Sequence, residues 1–188
     1  MTEGECSVVT LRDVVDSDAA VHAAFPPSAE IVRMYGGDAR DLPPRSLEES
    51  RNWVAWMQDH PYAKIIEKDG DAVGHLRLHS LSQEDRRARL GIGMFSEDFL
   101  GKGIGRRALG LALDDAFGVL GLHRVDLRVL AYNTRAIRCY LACGFTHEGT
   151  EREAAFIAGS WEDDWIMGVL ANEHDARRGQ RGPDRPLA

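Results

Sequence analysis

Between Phe99 and Gly121 the chain sets Gly101, Gly103 and Gly105 among Lys102, Ile104, Arg106 and Arg107, then runs directly into an amphipathic stretch. Glycine lets a backbone turn sharply and approach a ligand closely. A helix beginning behind it turns unsatisfied N–H groups and its positive dipole end toward whatever the glycines hold. The chemistry on offer is anion binding, and Lys102, Arg106 and Arg107 suit a ligand with more than one phosphate. Spacing excludes two nucleotide loops. A dinucleotide fingerprint, G-x-G-x-x-G after a parallel strand, fails because position 106 is Arg and the strands before the loop read as an antiparallel meander. A triphosphate loop ends in Gly-Lys-Ser/Thr, which is missing. On these residues alone, a glycine-rich turn with no ligand stays open.

The elements that must position the loop follow from periodicity. Residues 7–14 alternate like a first strand, and 16–25 read as a short helix capped by Asp16 or Ser17. Residues 26–45, rich in Pro and Gly, read as a loop around a helical turn. Ser46 and Glu49 have capping-box spacing ahead of Trp53, Val54 and Met57, so a helix covers about 46–60. Strands at 63–68, 72–81 and 88–95 form the meander. The helix after the glycines runs from Ile104 to about Leu120, with Ile104, Ala108, Ala112 and Ala116 as one seam and Leu109, Leu113 and Leu120 widening it. A strand at 123–132, a helix begun by Asn133 and stopped by Gly144, and strands at 145–156 and 163–171 complete the pattern. Residues 1–172 read as a single domain, and the polar residues 173–188 as a flexible tail.

Composition removes several classes of function. A chain of 188 residues with 44% apolar content can bury one core, and its net charge of −7 leaves no basic footprint for a nucleic acid partner. An acidic surface favours a cationic partner instead. No apolar run approaches the roughly 20 residues of a membrane span, and the first residues carry no secretory pattern, so the expectation is a cytoplasmic protein without a membrane partner. Cys6, Cys139 and Cys143 are odd in number and lack a CxxC pair, which points to neither a disulfide framework nor a metal site. Cys139 and Cys143, four apart, read as helix packing.

In this order of elements, over about residues 7–170, the chain resembles the GNAT superfamily of acyl-coenzyme A N-acyltransferases. The run GKGIGRRAL resembles that family's pyrophosphate loop, and NTRAIRCYLACGF resembles its N-x-x-A-x-x-x-Y-x-x-x-G-F motif. The segments FSEDFLGKGIGRRAL and EREAAFIAGSWEDDWIMGVL resemble the RimJ/RimL-type branch, which also includes spermidine acetyltransferases and antibiotic-modifying enzymes. The resemblance implies an α+β fold with a mixed, mostly antiparallel sheet of about seven strands and about four helices. It implies acetyl-coenzyme A as cofactor, with coenzyme A as product, and a homodimer as the assembly to test. Leu100 stands where relatives often carry Arg or Gln, and Arg89 stands where they often carry a Glu that is a candidate base. Arg89 cannot serve as a base at neutral pH.

The resemblance also distributes roles. Met94, Phe95, Leu100, Gly101, Lys102, Gly103, Ile104, Gly105, Arg106, Asn133 and Ala136 are the cofactor-binding candidates, with a backbone N–H of Met94 or Phe95 polarising the thioester carbonyl. Asn133 is either such a contact or only a helix cap. Tyr140 is the candidate general acid, since a phenol near pKa 10 can share its proton with a thiolate leaving group near 8.5. Asp126, with Glu84 and His79 as alternatives, is the candidate base. The acceptor pocket is expected between residues 25–44 and the last hairpin, with Glu30, Tyr35, Asp38, Asp163 and Asp164 facing a cationic amine. That amine is a protein or peptide N-terminus, a polyamine or an aminoglycoside. A module that binds acyl-coenzyme A without catalysis is the competing reading, motivated by Arg89.

Overall fold

A computed structural model describes residues 7–181 and is organised on a seven-stranded sheet in the order β1-β2-β3-β4-β5-β7-β6. The chain enters through β1 (Val9–Asp13), α1 (Asp18–Ala24), α2 (Ala29–Met34) and α3 (Leu47–Gln58). The meander β2 (Tyr62–Lys68), β3 (Asp71–Ser82) and β4 (Arg87–Met94) precedes the glycine loop and α4 (Ile104–Asp114). Then come β5 (Arg124–Leu130), α5 (Thr134–Cys143), β6 (Thr146–Ile157), β7 (Ser160–Leu170) and α6 (Ala171–Arg181). Every strand pairing is antiparallel except that of β4 with β5.

Local chemistry accounts for most boundaries. The predicted capping box forms in full: Glu49 donates its N–H to the Ser46 hydroxyl at 3.1 Å, and Ser46 donates its N–H to the Glu49 carboxylate at 2.7 Å. The β2–β3 hairpin turns on Asp69 and Gly70, at φ of 54° and 91°, the left-handed pair that a two-residue hairpin requires. The seam of α4 packs on the face of the sheet carrying Leu76, Leu78, Leu90 and Leu127, and all of these side chains are buried. Each such burial contributes about 1.5–3 kcal/mol relative to exposure.

Four sequence expectations need correction. Leu120 does not widen the seam and is 41% exposed. After Asp114 the helix relaxes into one π-turn, Asp115–Val119, closed by the Leu120 N–H to the Asp115 carbonyl at 2.9 Å. The extra residue in that turn rotates Gly118, Val119 and Leu120 off the apolar stripe, while Phe117 still packs against the core. Neither Asp16 nor Ser17 caps α1 with its side chain; the buried Asp18 carboxylate accepts the Val15 N–H at 2.9 Å and pairs with Arg12 at 2.6 Å. The α-helices among the described residues are six, where about four were expected. The sixth is the stretch expected to be loose. In α6 the buried His174 meets Asp114 at 2.7 Å and Arg177 donates to the Ala142 carbonyl at 3.1 Å, so a polar helix docks through hydrogen bonds that an apolar pattern does not reveal. Cys6 and residues 182–188 of the expected tail lie outside the described residues.

Candidate active site

The parallel ladder between β4 and β5 is short, pairing Arg87 with Arg124, Ala88 with Val125 and Arg89 with Asp126. Beyond it the strands diverge while each keeps its other neighbour. Phe95 donates its N–H to the Val73 carbonyl at 2.9 Å, which fixes the alternation along β4. Phe95, Gly93 and Gly91 turn their backbone groups toward β3, and Met94, Ile92 and Leu90 turn theirs into the gap. The gap opens into a cleft of about 580 Å³ lined from β4, the glycine loop, α4, β5 and α5. A cleft of that size suits an elongated ligand.

At one end lies the loop. Gly101 and Gly103 have φ of 72° and 75°, and a Cβ added to either would meet no protein atom within 4 Å. The space beside them is therefore open, and Gly103 is itself the N-cap of α4. Leu100, Gly101, Gly103, Ile104, Gly105 and Arg106 all line the cleft as expected, and so does Met94. Lys102 is exposed and stands outside the lining. Arg107 is directed elsewhere, donating to the Ser7 carbonyl at 2.8 Å. Phe95 is also outside the lining: its N–H is taken, and its ring packs among His22, Phe25, Trp53 and His75.

On the opposite wall, Asn133 caps α5 by accepting the Ala136 N–H at 3.2 Å and donates to the Met34 carbonyl at 3.3 Å, tying α2 to the cleft. Ala136 and Tyr140 line the same wall. The Tyr140 ring is buried edge-on to Phe145, and burial raises its hydroxyl pKa well above the ordinary value, with Tyr35, Cys139 and Cys143 adding to the shift. Arg138, exposed on α5, also lines the cleft. Sequence reasoning passed over it because its turn of α5 was read for the Asn-Ala-Tyr face alone.

The acceptor end differs from expectation. Tyr35 does line the cleft, and its hydroxyl donates to the Ile92 carbonyl. Asp126 does not line it: the carboxylate is buried between Arg89 at 2.8 Å, across the ladder on β4, and Arg124 at 3.6 Å, two residues earlier on β5, and the two guanidiniums hold it as a counter-ion. Glu84 and His79 lie outside the lining too, and His79 meets the Ser80 hydroxyl at 3.1 Å. Four acidic candidates are already occupied. Glu30 pairs with Arg135 at 2.7 Å, Asp38 with Arg40 at 2.5 Å, Asp164 with Arg128 at 3.0 Å, and Asp163 accepts the Glu153 N–H at 2.8 Å. Of these only Asp164 reaches the cleft. Among the described residues, no group of His, Cys, Asp and Glu could hold a metal, and no helix is long and apolar enough to cross a membrane.

A sheet splayed at one parallel pair, with a glycine cradle and helix N-terminus on one side of the gap and a tyrosine-bearing helix on the other, defines a protein built to hold an extended anionic ligand between strands. Residues 9–146 match the family described as the acetyltransferase (GNAT) domain, and the chain belongs to that family. It is 33% identical over 110 residues to spermidine N(1)-acetyltransferase of Escherichia coli (strain K12), a match spanning 58% of this chain and 59% of that protein. Against spermidine N(1)-acetyltransferase of Vibrio cholerae serotype O1, identity is 30% over 130 residues, covering 68% and 73%. The fold also matches the crystal structure of spermidine N-acetyltransferase from Vibrio cholerae in complex with CoA and spermine, with a TM-score of 0.75, 24% identity and coverage of 88% and 97%.

Proposed function

We propose that this protein is an acetyl-coenzyme A-dependent N-acetyltransferase of the RimJ/RimL type, acetylating a primary amine by direct attack in a ternary complex. The observation that carries the reading is the splay of β4 from β5, because it brings unpaired strand backbone, the glycine cradle and Tyr140 to one cleft. Acetyl-coenzyme A, when bound, supplies an activated thioester. Gly101, Gly103 and the first N–H groups of α4 bind the pyrophosphate, with Arg106 and Arg138 neutralising its charge. The outward N–H of Ile92, whose carbonyl accepts the Tyr35 hydroxyl, and the outward groups of Met94 hold the pantetheine arm as an added strand would, and the Met94 N–H orients the thioester carbonyl. Tyr140 keeps its proton at neutral pH and donates a hydrogen bond where thiolate charge develops.

The names of the relatives favour a polyamine acceptor, whereas the carboxylates meant to attract one are paired with arginines. A primary amine is therefore the substrate class, with polyamines and peptide N-termini its first members to try. Calorimetric titration with coenzyme A combined with a thiol-release assay over a panel of amines tests the reading. Micromolar coenzyme binding and acceptor-dependent thiol release are expected. Binding with no turnover on any amine would replace the enzyme by an acyl-coenzyme A-binding sensor.

A further inference from the structure

We propose that Arg77 is the anion-binding residue of the acceptor pocket, so that the amine acetylated here carries a carboxylate a few ångströms from its reacting nitrogen. The inference rests on the acetyltransferase reading and narrows its substrate. Arg77 and His75 lie on β3 opposite Gly91 and Gly93 of β4. Both glycines line the cleft, while Arg77 and His75 lie across the ladder from them and outside the lining; no β4 side chain stands at Gly91 between Arg77 and that space, and the Tyr35 hydroxyl occupies the space over Gly93. A Cβ on Gly91 would lie 2.9 Å from a terminal nitrogen of Arg77, which places the guanidinium directly over the glycine.

The guanidinium has no counter-ion among the described residues. Arg12, Arg89, Arg124, Arg128 and Arg135 each pair with a carboxylate, whereas Arg77 makes no ion pair and its buried Nε has no hydrogen-bond partner. Two positions away on the same face, the buried His75 Nδ1 is also without a partner. Burial lowers the proton affinity of both groups, and no carboxylate offsets it at either one. The Trp56 ring, 4.5 Å from the guanidinium, covers one of its faces but satisfies none of its N–H groups. A half-buried cation lacking its anion is costly, and orphaned buried polar atoms beside a cleft indicate a missing partner. A carboxylate matches the planar fork. Gly91, beneath Arg77, and Met94 are three strand residues apart, roughly 10 Å, a span that the guanidinium–carboxylate contact shortens, so an anion on Arg77 and an amine beside Met94 fit one small molecule or the first residues of a peptide. Spermidine has no such group.

The test compares kcat/KM for matched amines: free amino acids against their amides, and Ala-Asp-amide against Ala-Asn-amide. The two series separate a small-molecule source of the carboxylate from a peptide one. At least a tenfold preference for the acid is expected in one series, with the ratio collapsing toward one in Arg77→Gln and staying intermediate in Arg77→Lys. Equal or better turnover of the neutral member in both series, measured on the unaltered protein, overturns the inference while leaving the acetyltransferase reading intact. So does an Arg77→Gln variant that lowers both members of a pair equally, since a purely structural arginine would act that way. No turnover of any amine, with coenzyme A still bound, removes the acetyltransferase reading and this inference with it.

Discussion

Tyr140 is a core side chain that also lines the cleft, where it is the proposed hydrogen-bond donor to the leaving thiolate. Its ring is buried against Phe145, while its position on α5 lines the cleft opposite the glycine loop. A hydroxyl whose pKa is raised by burial is a poor donor of a whole proton and a sound donor of a hydrogen bond to an anion. Tyr140→Phe keeps the packed ring and removes that donor. The expected result is a fall in kcat of roughly 10- to 1,000-fold with little change in the KM for acetyl-coenzyme A. Pre-steady-state measurements that isolate the chemical step make the check; wild-type chemistry in the variant would exclude the role. The position of Tyr140 was legible because the spacing of Asn133, Ala136 and Tyr140 fixes one face of a helix whose start and stop were also legible. Asp126 was not, because its nearer partner, Arg89, becomes its neighbour only through strand register. Arg77 escaped notice for the same reason, since its significance lies in having Gly91 across the ladder rather than in its own sequence context.

At the scale of elements, the cradle is a loop and a helix acting as one unit. Gly103 is the left-handed N-cap of α4 with open space where a side chain would go. Gly103→Val adds a branched side chain to that space and strains the backbone by about 1–3 kcal/mol. Coenzyme A affinity should fall at least about 100-fold, the loss of roughly 2.7 kcal/mol of binding, while the melting temperature drops only modestly. Unchanged affinity by calorimetry would mean the cradle binds no phosphate. Gly93 is required from the other side: a Cβ there collides with the Tyr35 hydroxyl and approaches His75 within 2.9 Å. Gly93→Ala should therefore displace Tyr35 from the Ile92 carbonyl and raise the KM for the amine about tenfold, with coenzyme A affinity nearly kept; equal losses for both ligands would contradict a role confined to the acceptor side. Most elements were legible from periodicity and caps, as Ser46 with Glu49 and Asn133 with Gly144 illustrate. What escaped was the π-turn after Asp114, which leaves no apolar signature, and α6, whose docking depends on His174 finding Asp114 across the fold.

Across the whole molecule, α1 and α3 are fastened to the sheet through a cluster centred on His22. Its ring stacks on Trp53 at 4.1 Å, meets Phe95 edge-on, and its Nδ1 lies 3.0 Å from the Ser50 hydroxyl. His75 stacks on the other side of Phe95. Burial, reinforced by Arg45, lowers the His22 pKa from 6.5 to about 4. Burial, reinforced by Arg77, His22 and Arg45, lowers that of His75 from 6.5 to about 3. Both imidazoles are therefore neutral in the folded protein over a range where the unfolded chain protonates them. The unfolded state binds more protons below pH 6.5, so stability is full above that value and declines as pH falls toward about 4. The slope from each histidine is at most about 1.4 kcal/mol per pH unit. Asp18 titrates in a separate window: burial alone would raise its pKa, but Arg12 and the Val15 N–H outweigh burial and lower it below 3.8, so its stabilisation is lost only under more acidic conditions. Urea unfolding followed by tryptophan fluorescence between pH 7.5 and 4.5 should show the midpoint falling continuously. His22→Asn, which removes one titrating ring and can keep a polar contact with Ser50, should be less stable at pH 7.5 yet lose less on acidification. A flat profile in the unaltered protein, or an undiminished slope in the variant, would show that the cluster admits protons without opening and that α1 and α3 do not depend on its neutrality.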